Sequence, residues 1–278
     1  YQKKSKNKNS IRTEASKRLL KHKDHIKLYK ECKKYKVDYI CSAFDLESLK
    51  FLYKNTKFPF IKIPSGEIQS IDTLKFISKK KGKVILSTGM ANIQEIKQAM
   101  NILKKNNVTL LHCVSSYPTK LSDLNLNFMT KLKKIFKCSV GLSDHSPGYL
   151  APIIATSLGA TIVEKHVTFN KKLKGPDHLS SLTIREFKEM IKLVRETETI
   201  LGKDKKILSS DEKYNSMAVR KSCVSKRDIS KGEIIKMRDI CFKRPGIGVS
   251  PFSISKIINK KAKRMIRKDK IIKKEDFY

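Results

Sequence analysis

Short apolar runs alternate with helical patterns along most of this chain, and this alternation limits the possible folds more than any other feature. Each run ends in small or polar residues, and helix signals such as Asn92 with Glu95 or Thr183 with Glu186 lie between or after the runs. Strands that alternate with helices form parallel sheets, and the nearly all-apolar starts of the first four runs suit strands buried on both faces. The sequence therefore predicts an α/β fold with a parallel sheet. The predicted strands are VDYICSAF (37–44), PFIKIPSGE (59–67), KVILSTGM (83–90), VTLLHCVSSYP (108–118), CSVGLSDHS (138–146) and ATIVEKHVTF (160–169).

Two architectures accommodate such a sheet: a doubly wound sheet and a (β/α)8 barrel of the TIM type. Neither a GxGxxG nor a GxxxxGK[ST] loop follows any predicted strand, which argues against a nucleotide-binding doubly wound sheet. Polar side chains instead follow every strand, as in barrel enzymes, whose chemistry lies at the carboxyl ends of the strands. We therefore predict a barrel. Only six of the eight strands that a barrel needs are visible, so we expect its first two βα units to be missing before residue 37.

The strand–helix pattern breaks after Gly202. Residues 203–217 are polar and rich in turn formers, and residues 218–278 contain short runs with turns at DISKGEII and RPGIG. We predict a partial barrel at 1–203, a linker at 204–217 and a compact, loop-dominated domain at 218–278. This last domain is too small to hold a rich active site alone.

Charge and composition bear on which partners to expect. The formal net charge of +36 would suit a protein that binds nucleic acid or an anionic membrane. The lysines are spread through every segment, however, and Ile and Asn are also abundant, so a general lysine bias explains the charge better and we do not expect nucleic-acid binding. No apolar run approaches about 18 residues, so no membrane span is expected. Six cysteines without a CxxC pair indicate free thiols in a reducing compartment, which predicts a cytoplasmic protein.

Two histidines follow the last two predicted strands, in GLSDHSPG and GATIVEKHVTF. Because side chains alternate along a strand, Ser143 shares a face with His145, and Glu164 shares a face with His166. One crossover helix at 147–158 joins these strands, so in a barrel they would be neighbours about 4.8 Å apart, with both imidazoles at one mouth. Two neighbouring neutral imidazoles suit a divalent transition metal, whereas the alternative makes both of them core or helix-capping residues. The matched positions favour the metal site.

A lysine and several hydroxyl groups also lie at strand ends. KIPSGE places Lys62, Ser65 and Glu67 at the end of one strand, and the amides of Ser65 and Gly66 are positioned to cradle an anion. One lysine among converging hydroxyls predicts a phosphate or carboxylate site, although each serine alone is more often a helix cap. Glu67 either acts on a substrate hydroxyl or aldehyde or forms an ion pair with Lys62. The hydroxyls from four other strands belong to Ser42, Ser87, Ser115 and Ser143.

Two further polar residues carry weaker signals. Gly175 and Pro176 predict a turn that projects Asp177 near the same mouth, where it either binds a polyol or serves as an ordinary turn residue. His112 lies inside a predicted strand and is expected to point into the packing layer, with Cys113 facing the other way.

Taken in order, these motifs resemble the sialic acid synthase family. Each motif alone is modestly specific, whereas the ordered set is very specific and covers the chain from about residue 37 to its end. The C-terminal DISKGEII and FKRPGIG resemble the antifreeze-like (β-clip) domain of that family. The resemblance implies a barrel followed by an antifreeze-like domain, assembled as a domain-swapped homodimer. The matching pieces of the barrel are KIPSGE, VILSTGM, LLHCVSSYPT, VGLSDHSPG, ATIVEKHVTF and GPDH.

The resemblance also implies an activity. Members are carbon–carbon-forming transferases that condense phosphoenolpyruvate with an N-acetylated hexosamine of the N-acetylmannosamine type into a nine-carbon nonulosonic acid, with phosphate lost by C–O cleavage. It implies a divalent metal, Mn²⁺ or Mg²⁺, that is held by His145 and His166 and polarises the sugar aldehyde. Glu67 and Asp177 would hold the open-chain sugar, and Arg244 would reach across the dimer to its N-acyl group. The residues implied to meet phosphoenolpyruvate are Ser42, Lys62, Ser65, Ser87, Ser115, Tyr117 and Ser143.

Departures from the family pattern leave alternatives open. The sequence does not contain the family's first two βα units, so we expect an N-terminally truncated member whose activity on its own is in question. Ser115 stands where the family often has Asn, and SAF at 42–44 replaces a Thr-Pro-Phe pattern, so legionaminate or pseudaminate synthesis is an alternative to sialic acid synthesis. An alternative from another class is a catalytically dead barrel that binds sugar. The intact histidine pair argues against it.

Overall fold

The structure is a computed structural model that describes residues 19–80, 82–175 and 177–278. The chain divides into two compact units between Gly202 and Lys203. The start of the predicted barrel segment, residues 1–18, lies outside the described residues, as does Pro176 of the predicted turn.

The first unit contains a five-stranded parallel sheet in which the strands lie side by side in chain order. Consecutive parallel strands with helices between them make a TIM-like half-barrel, which confirms the predicted fold class. The strands of the sheet are β1 (Phe60–Ile63), β2 (Lys83–Ser87), β3 (Asn107–Cys113), β4 (Ser139–Asp144) and β5 (Val163–Lys165). A separate pair of short parallel strands consists of β6 (Val167–Thr168) and β7 (Leu182–Thr183). The helices are α1 (His22–Lys34), α2 (Leu46–Asn55), α3 (Ile71–Ser78), α4 (Ile93–Ile102), α5 (Asn127–Phe136), α6 (Leu150–Ser157) and α7 (Ile184–Leu201).

The first predicted strand, residues 37–44, is wrong. The segment has no regular secondary structure, Val37 is 57% exposed, and the described part of the chain shows no ladder between this segment and β1. The prediction rested on apolar composition, but a strand forms only where its backbone N–H and C=O groups pair with a neighbour.

The last predicted strand, residues 160–169, is divided into two. β5 ends before His166, and the strand resumes as β6, which pairs with β7 instead of continuing the sheet. The change of partner occurs at His166 itself, because the backbone N–H of Leu182 donates to its carbonyl oxygen at 2.9 Å. His166 therefore sits at a bend, directly beyond the carboxyl end of the sheet.

Helix boundaries follow the predicted capping signals. Asn92 Oδ1 accepts from the backbone N–H of Glu95 at 3.0 Å, and Glu95 Oε2 accepts from the N–H of Asn92 at 2.7 Å. Thr183 and Glu186 form the same reciprocal pair at the start of α7, at 3.3 and 2.8 Å. The helix expected at 147–158 is shorter, because α6 begins at its fourth predicted residue. None of the helices in the described ranges has both the length and the apolar character needed to span a membrane.

The core lies between the sheet and the helices that cover it. Val140 and Leu142 of β4 and Leu110 of β3 point into this layer and are at most 1% exposed. His112 points the same way, donates from Nε2 to the carbonyl oxygen of Leu124 at 2.6 Å, and contacts the Phe128 ring edge-on. Its predicted structural role is confirmed, and the alternation of faces leaves Cys113 on the opposite side, toward the barrel interior.

The second unit is small and loop-dominated, as predicted. It contains α8 (Ser210–Val219) and an antiparallel pair, β8 (Ser222–Ser225) with β9 (Ile240–Lys243). Helix α8 occupies much of the segment predicted to be a linker, and its signal was a capping box between Ser209 and Glu212. The apolar core of the unit consists of Cys223, Ile229, Ile235, Ile240, Val249, Ile257, Ala262, Ile266 and Ile272.

Candidate active site

A cavity of about 500 Å³ opens at the carboxyl ends of strands β1 to β5. Ten of the twelve sequence-predicted site residues line it. A larger groove of about 740 Å³ lies at the opposite ends of β3 and β4, but the residues with catalytic potential gather in the smaller cavity, as expected for a barrel. The predicted residues in the wall are Ser42, Lys62, Ser65, Ser87, Ser115, Tyr117, Ser143, His145, His166 and Asp177. The wall also contains Phe44, Pro64, Gly66, Met90, Cys113 and Glu164.

Two predicted site residues are placed elsewhere. Glu67 ends the single helical turn Ser65–Glu67 and accepts a hydrogen bond from Ser70 Oγ, so its carboxylate is engaged outside the described cavity wall. Arg244 follows β9 in the second unit and is exposed there. The sugar-binding roles of both residues stay predictions.

The two histidines predicted to hold a metal are close neighbours. Strand pairing sets Ser143 opposite Glu164, which brings the residues two positions further on to the same edge. The ring centroids of His145 and His166 lie 5.3 Å apart. The Tyr117 ring packs against both, with centroid distances of 4.1 Å to His145 and 5.8 Å to His166.

Burial and hydrogen bonding favour neutral imidazoles. Burial lowers the pKa of His145, and burial together with the neighbouring His145 lowers the pKa of His166. His145 Nδ1 lies 2.9 Å from the carbonyl oxygen of Val114. A carbonyl only accepts, so Nδ1 of His145 carries the proton and Nε2 presents a lone pair. His166 Nδ1 lies 3.9 Å from Asp177 Oδ2, with both side chains about one-third exposed (33% and 36%).

The opposite part of the wall is suited to an anion. Lys62 Nζ donates to Ser87 Oγ at 2.9 Å and to the carbonyl oxygen of Ile63 at 3.3 Å. The same amine faces Glu164 Oε2 at 3.5 Å, and Ser143 donates to Glu164 Oε1 at 2.6 Å. Lys62 is thus an almost buried cation, 8% exposed, whose partner Glu164 is 41% exposed and open to the cavity.

A glycine lets two of the hydroxyls approach each other. The backbone N–H of Gly89 donates to Ser65 Oγ at 2.9 Å. A Cβ atom at this position would lie 2.3 Å from Ser115 Oγ and 2.8 Å from Ser65 Oγ, so only glycine permits this approach. Ser65 and Ser115 can therefore approach each other because Gly89, two residues beyond the end of β2, has no side chain.

Sequence comparison places this site in a known family. The NeuB family profile matches residues 1–206, and the SAF domain profile matches residues 220–277. The chain belongs to the NeuB family. It is 40% identical over 256 residues to the N,N'-diacetyllegionaminic acid synthase of Campylobacter jejuni, across 90% of this chain and 76% of that protein. The predicted resemblance to sialic acid synthases is confirmed.

Solved structures agree with the NeuB assignment. A sialic acid synthetase from Leptospira borgpetersenii, in complex with citrate, matches with a TM-score of 0.67 and 32% identity, over 70% of this chain and 69% of that chain. A Chromobacterium violaceum protein named for spore coat polysaccharide biosynthesis matches with a TM-score of 0.85 over 100% of this chain and 84% of that chain. The identity to the second protein is 24%, so it supports the fold alone.

Sequence reasoning assigned no role in this NeuB-family cavity to Glu164. Its carboxylate bridges the two parts of the wall, because it contacts Lys62 and Ser143 and lies near both imidazoles. The available signal was its position two residues before His166 on the same strand face. What the sequence could not supply was the neighbouring amine, which comes from β1, on the far edge of the sheet.

Proposed function

We propose that this NeuB-family protein condenses phosphoenolpyruvate with an N-acetylated hexosamine to give a nine-carbon nonulosonic acid and inorganic phosphate. The observation that carries the proposal is the composition of the cavity: a buried lysine among hydroxyls on one part of its wall and a pair of neutral histidines on another. The first part suits an anionic donor, and the second suits an acceptor that must be made electrophilic.

The anion would be held by Lys62 and the serines near it. Charged hydrogen bonds from an ammonium to phosphate or carboxylate oxygens are about twice as strong as neutral ones, and Lys62 is shielded from bulk water. Glu164 neutralises Lys62 in this structure, so an incoming anion would compete with that carboxylate. The hydroxyls assigned to the same substrate are those of Ser42, Ser65, Ser87, Ser115, Tyr117 and Ser143.

His145 and His166 would hold a divalent ion, Mn²⁺ or Mg²⁺. They fit one because both imidazoles are kept neutral and His145 directs Nε2, with its lone pair, away from the carbonyl that fixes Nδ1. Such an ion, when bound, would supply Lewis-acid polarisation of the acceptor carbonyl. The described residues contain no group of three metal-binding side chains, so solvent or substrate oxygens would supply the remaining ligands.

The residues of the chain would perform the other tasks. Tyr117 fills the space beside both rings and limits their rotation. Asp177, beside His166, is placed to accept hydrogen bonds from the hydroxyls of an open-chain sugar. Carbon–carbon bond formation then joins the methylene carbon of phosphoenolpyruvate to the sugar carbonyl carbon, whose oxygen takes up a proton. Water adds to the phosphate-bearing carbon and gives up a proton, and phosphate leaves from that carbon by C–O cleavage.

The identity of the acceptor sugar is proposed from sequence similarity. The 40% identity to a Campylobacter jejuni N,N'-diacetyllegionaminic acid synthase favours a 2,4-diacetamido hexose over N-acetylmannosamine. Arg244 is proposed to contact the N-acyl group of the acceptor bound by a partner subunit in a homodimer, since it is an exposed cation of the second unit.

Phosphate release tests the proposed function directly. The purified protein is incubated with Mn²⁺, phosphoenolpyruvate and either N-acetylmannosamine or a 2,4-diacetamido analogue. We expect acceptor-dependent release that is lost in His145→Ala and retained in His112→Gln, a change to a core histidine. A folded protein that releases no phosphate with any acceptor would contradict the proposal and favour a sugar-binding barrel.

A further inference from the structure

A buried ion pair joins β4 to β5 on the face that points away from the cavity. Lys165 Nζ lies 2.7 Å from Asp144 Oδ2, and both side chains are 0% exposed. The two residues are paired in register and immediately precede His145 and His166. Since side chains alternate, the ion pair points into the helix layer while the histidines point to the cavity.

The same pair fixes the backbone that follows His145. The N–H of Ser146 donates to Asp144 Oδ1 at 2.9 Å, and Lys165 Nζ donates to the carbonyl oxygen of Ser146. The carbonyl oxygen of His145 itself accepts from the N–H of Thr119 at 3.0 Å. The loop after β4 is therefore attached to β5 through a side chain one residue before His166.

Stability alone does not account for a buried charge pair at this place. Taking two charges out of water costs free energy that their attraction often only balances, and apolar residues of similar volume are often as stable or more stable. The helix layer next to the pair is apolar, with Val140 and Leu142 at 0% and 1% exposure. What an apolar pair would not supply is the link from Lys165 to the carbonyl oxygen of Ser146.

We propose that Asp144 and Lys165 are positioning residues that set the separation and orientation of His145 and His166 for one divalent ion. The inference rests on the proposed function, because the histidines must hold a metal for their separation to matter. β5 contains only three residues and ends at Lys165, so few other backbone bonds hold His166 in register with β4.

The test is Mn²⁺ binding by the double variant Asp144→Leu/Lys165→Met, which leaves no unpaired charge in the core. The free Mn²⁺ signal in electron paramagnetic resonance gives the dissociation constant, and circular dichroism gives the melting temperature. We expect the double variant to melt cooperatively, at a temperature close to that of the protein without substitutions. Its dissociation constant for Mn²⁺ should rise about 10- to 100-fold, the usual effect of losing a residue that orients metal ligands. Lys192→Met is the matched control, because Lys192 forms exposed pairs with Glu189 and Glu196 in the same unit, and the Mn²⁺ affinity of this variant should not change.

The outcomes separate the two proposals. An unchanged protein that binds no Mn²⁺ would contradict the metal site of the proposed function. If the protein without substitutions binds Mn²⁺ and the folded double variant binds it with a dissociation constant within twofold of that value, only the positioning role is overturned. Asp144→Asn covers the case in which the double variant does not fold, since it keeps the volume and an acceptor for the Ser146 amide and removes the charge facing Lys165. We expect about 10-fold weaker binding for it, and a value within twofold would again overturn the inference.

Discussion

The imidazole rings of His145 and His166 stand 5.3 Å apart at an interplanar angle of 80°. The His145 ring is held by its hydrogen bond to the carbonyl oxygen of Val114, whereas His166 lies at the bend between β5 and β6. The Tyr117 ring packs against both imidazoles.

Tyr117 should position the two imidazoles through its ring. Tyr117→Phe keeps the packing against both imidazoles, so the dissociation constant for Mn²⁺ should stay within about twofold. Tyr117→Ala frees both rings to rotate and should weaken Mn²⁺ binding about 10-fold, because oriented ligands bind more tightly. Equal affinities in the two variants, measured by electron paramagnetic resonance, would show that the ring does not position the histidines.

Lys62 should control the affinity for the anionic substrate. Lys62→Met removes a charge-assisted hydrogen bond worth about 1.5–3 kcal/mol, so the KM for phosphoenolpyruvate should rise about 10- to 150-fold. Lys83→Met is the matched control, because Lys83 is exposed at the far end of the adjacent strand and should leave KM unchanged. A similar rise in both variants would point to the general positive charge of the protein instead of a specific contact.

Gly89 should not tolerate a side chain. In Gly89→Ala the new methyl group would meet Ser115 Oγ at 2.3 Å and Ser65 Oγ at 2.8 Å, and both hydroxyls would have to move. Displacements of about 1 Å at a reacting site can cost about 100-fold, and we expect a loss of that order in kcat/KM. Gly66→Ala is the control in the same wall, because a Cβ there meets nothing within 4 Å. Steady-state kinetics with phosphoenolpyruvate as the varied substrate distinguishes the two.

His112 should make stability depend on pH. Burial lowers the pKa of His112 in the folded state, so below the ordinary pKa of about 6.5 the unfolded chain binds a proton that the folded chain does not. The free energy of unfolding should therefore fall as pH drops from about 6.5 toward the lowered pKa, by at most about 1.4 kcal/mol per pH unit for this group. His112→Gln retains a donor for the carbonyl of Leu124 and should show a shallower slope in urea melts between pH 7 and pH 5. An unchanged slope would mean that other groups cause the dependence.

Arg244 should affect the acceptor and not phosphoenolpyruvate. If it contacts the N-acyl group in a partner subunit, Arg244→Ala should raise the KM for the sugar about 10-fold or more, as expected for a charged hydrogen bond, with the KM for phosphoenolpyruvate unchanged. Arg238→Ala changes another exposed arginine of the same unit and serves as control. Light scattering on each variant establishes whether the protein is a dimer. A monomer with unaltered sugar kinetics would remove Arg244 from the site.

The cavity residues could be predicted because strand ends and face alternation are local properties of the sequence. The spacing within GLSDHS and VEKH was enough to bring His145 and His166 to one edge. Position at a strand end was not enough to bring Glu67 into the cavity wall, because the chain leaves the strand at Pro64 and forms a single helical turn in which the carboxylate accepts from Ser70. Side chains alternate between two faces only while the backbone stays extended.

Pairings between strands could not be predicted in the same way. The contact of Lys62 with Glu164 joins β1 to β5, and that of Lys165 with Asp144 depends on the register of β5 against β4. Neither contact can be predicted from the sequence of one strand, since each depends on how the helices between the strands pack. The segment 37–44 shows the same limit, because its apolar residues do not reveal whether a neighbouring strand is available.

The chain-order arrangement of the sheet has a consequence for how the site can be changed. His145, His166 and the pair that fixes them all belong to one strand–helix–strand unit, from Ser139 to His166. The loop closed between the two histidines is short, so the entropy lost on bringing them together is small. The proposed metal ligands and the ion pair beside them thus form one contiguous segment, which can be exchanged between related chains as a unit if Val114 and Tyr117, which contact the histidines from the preceding loop, are kept.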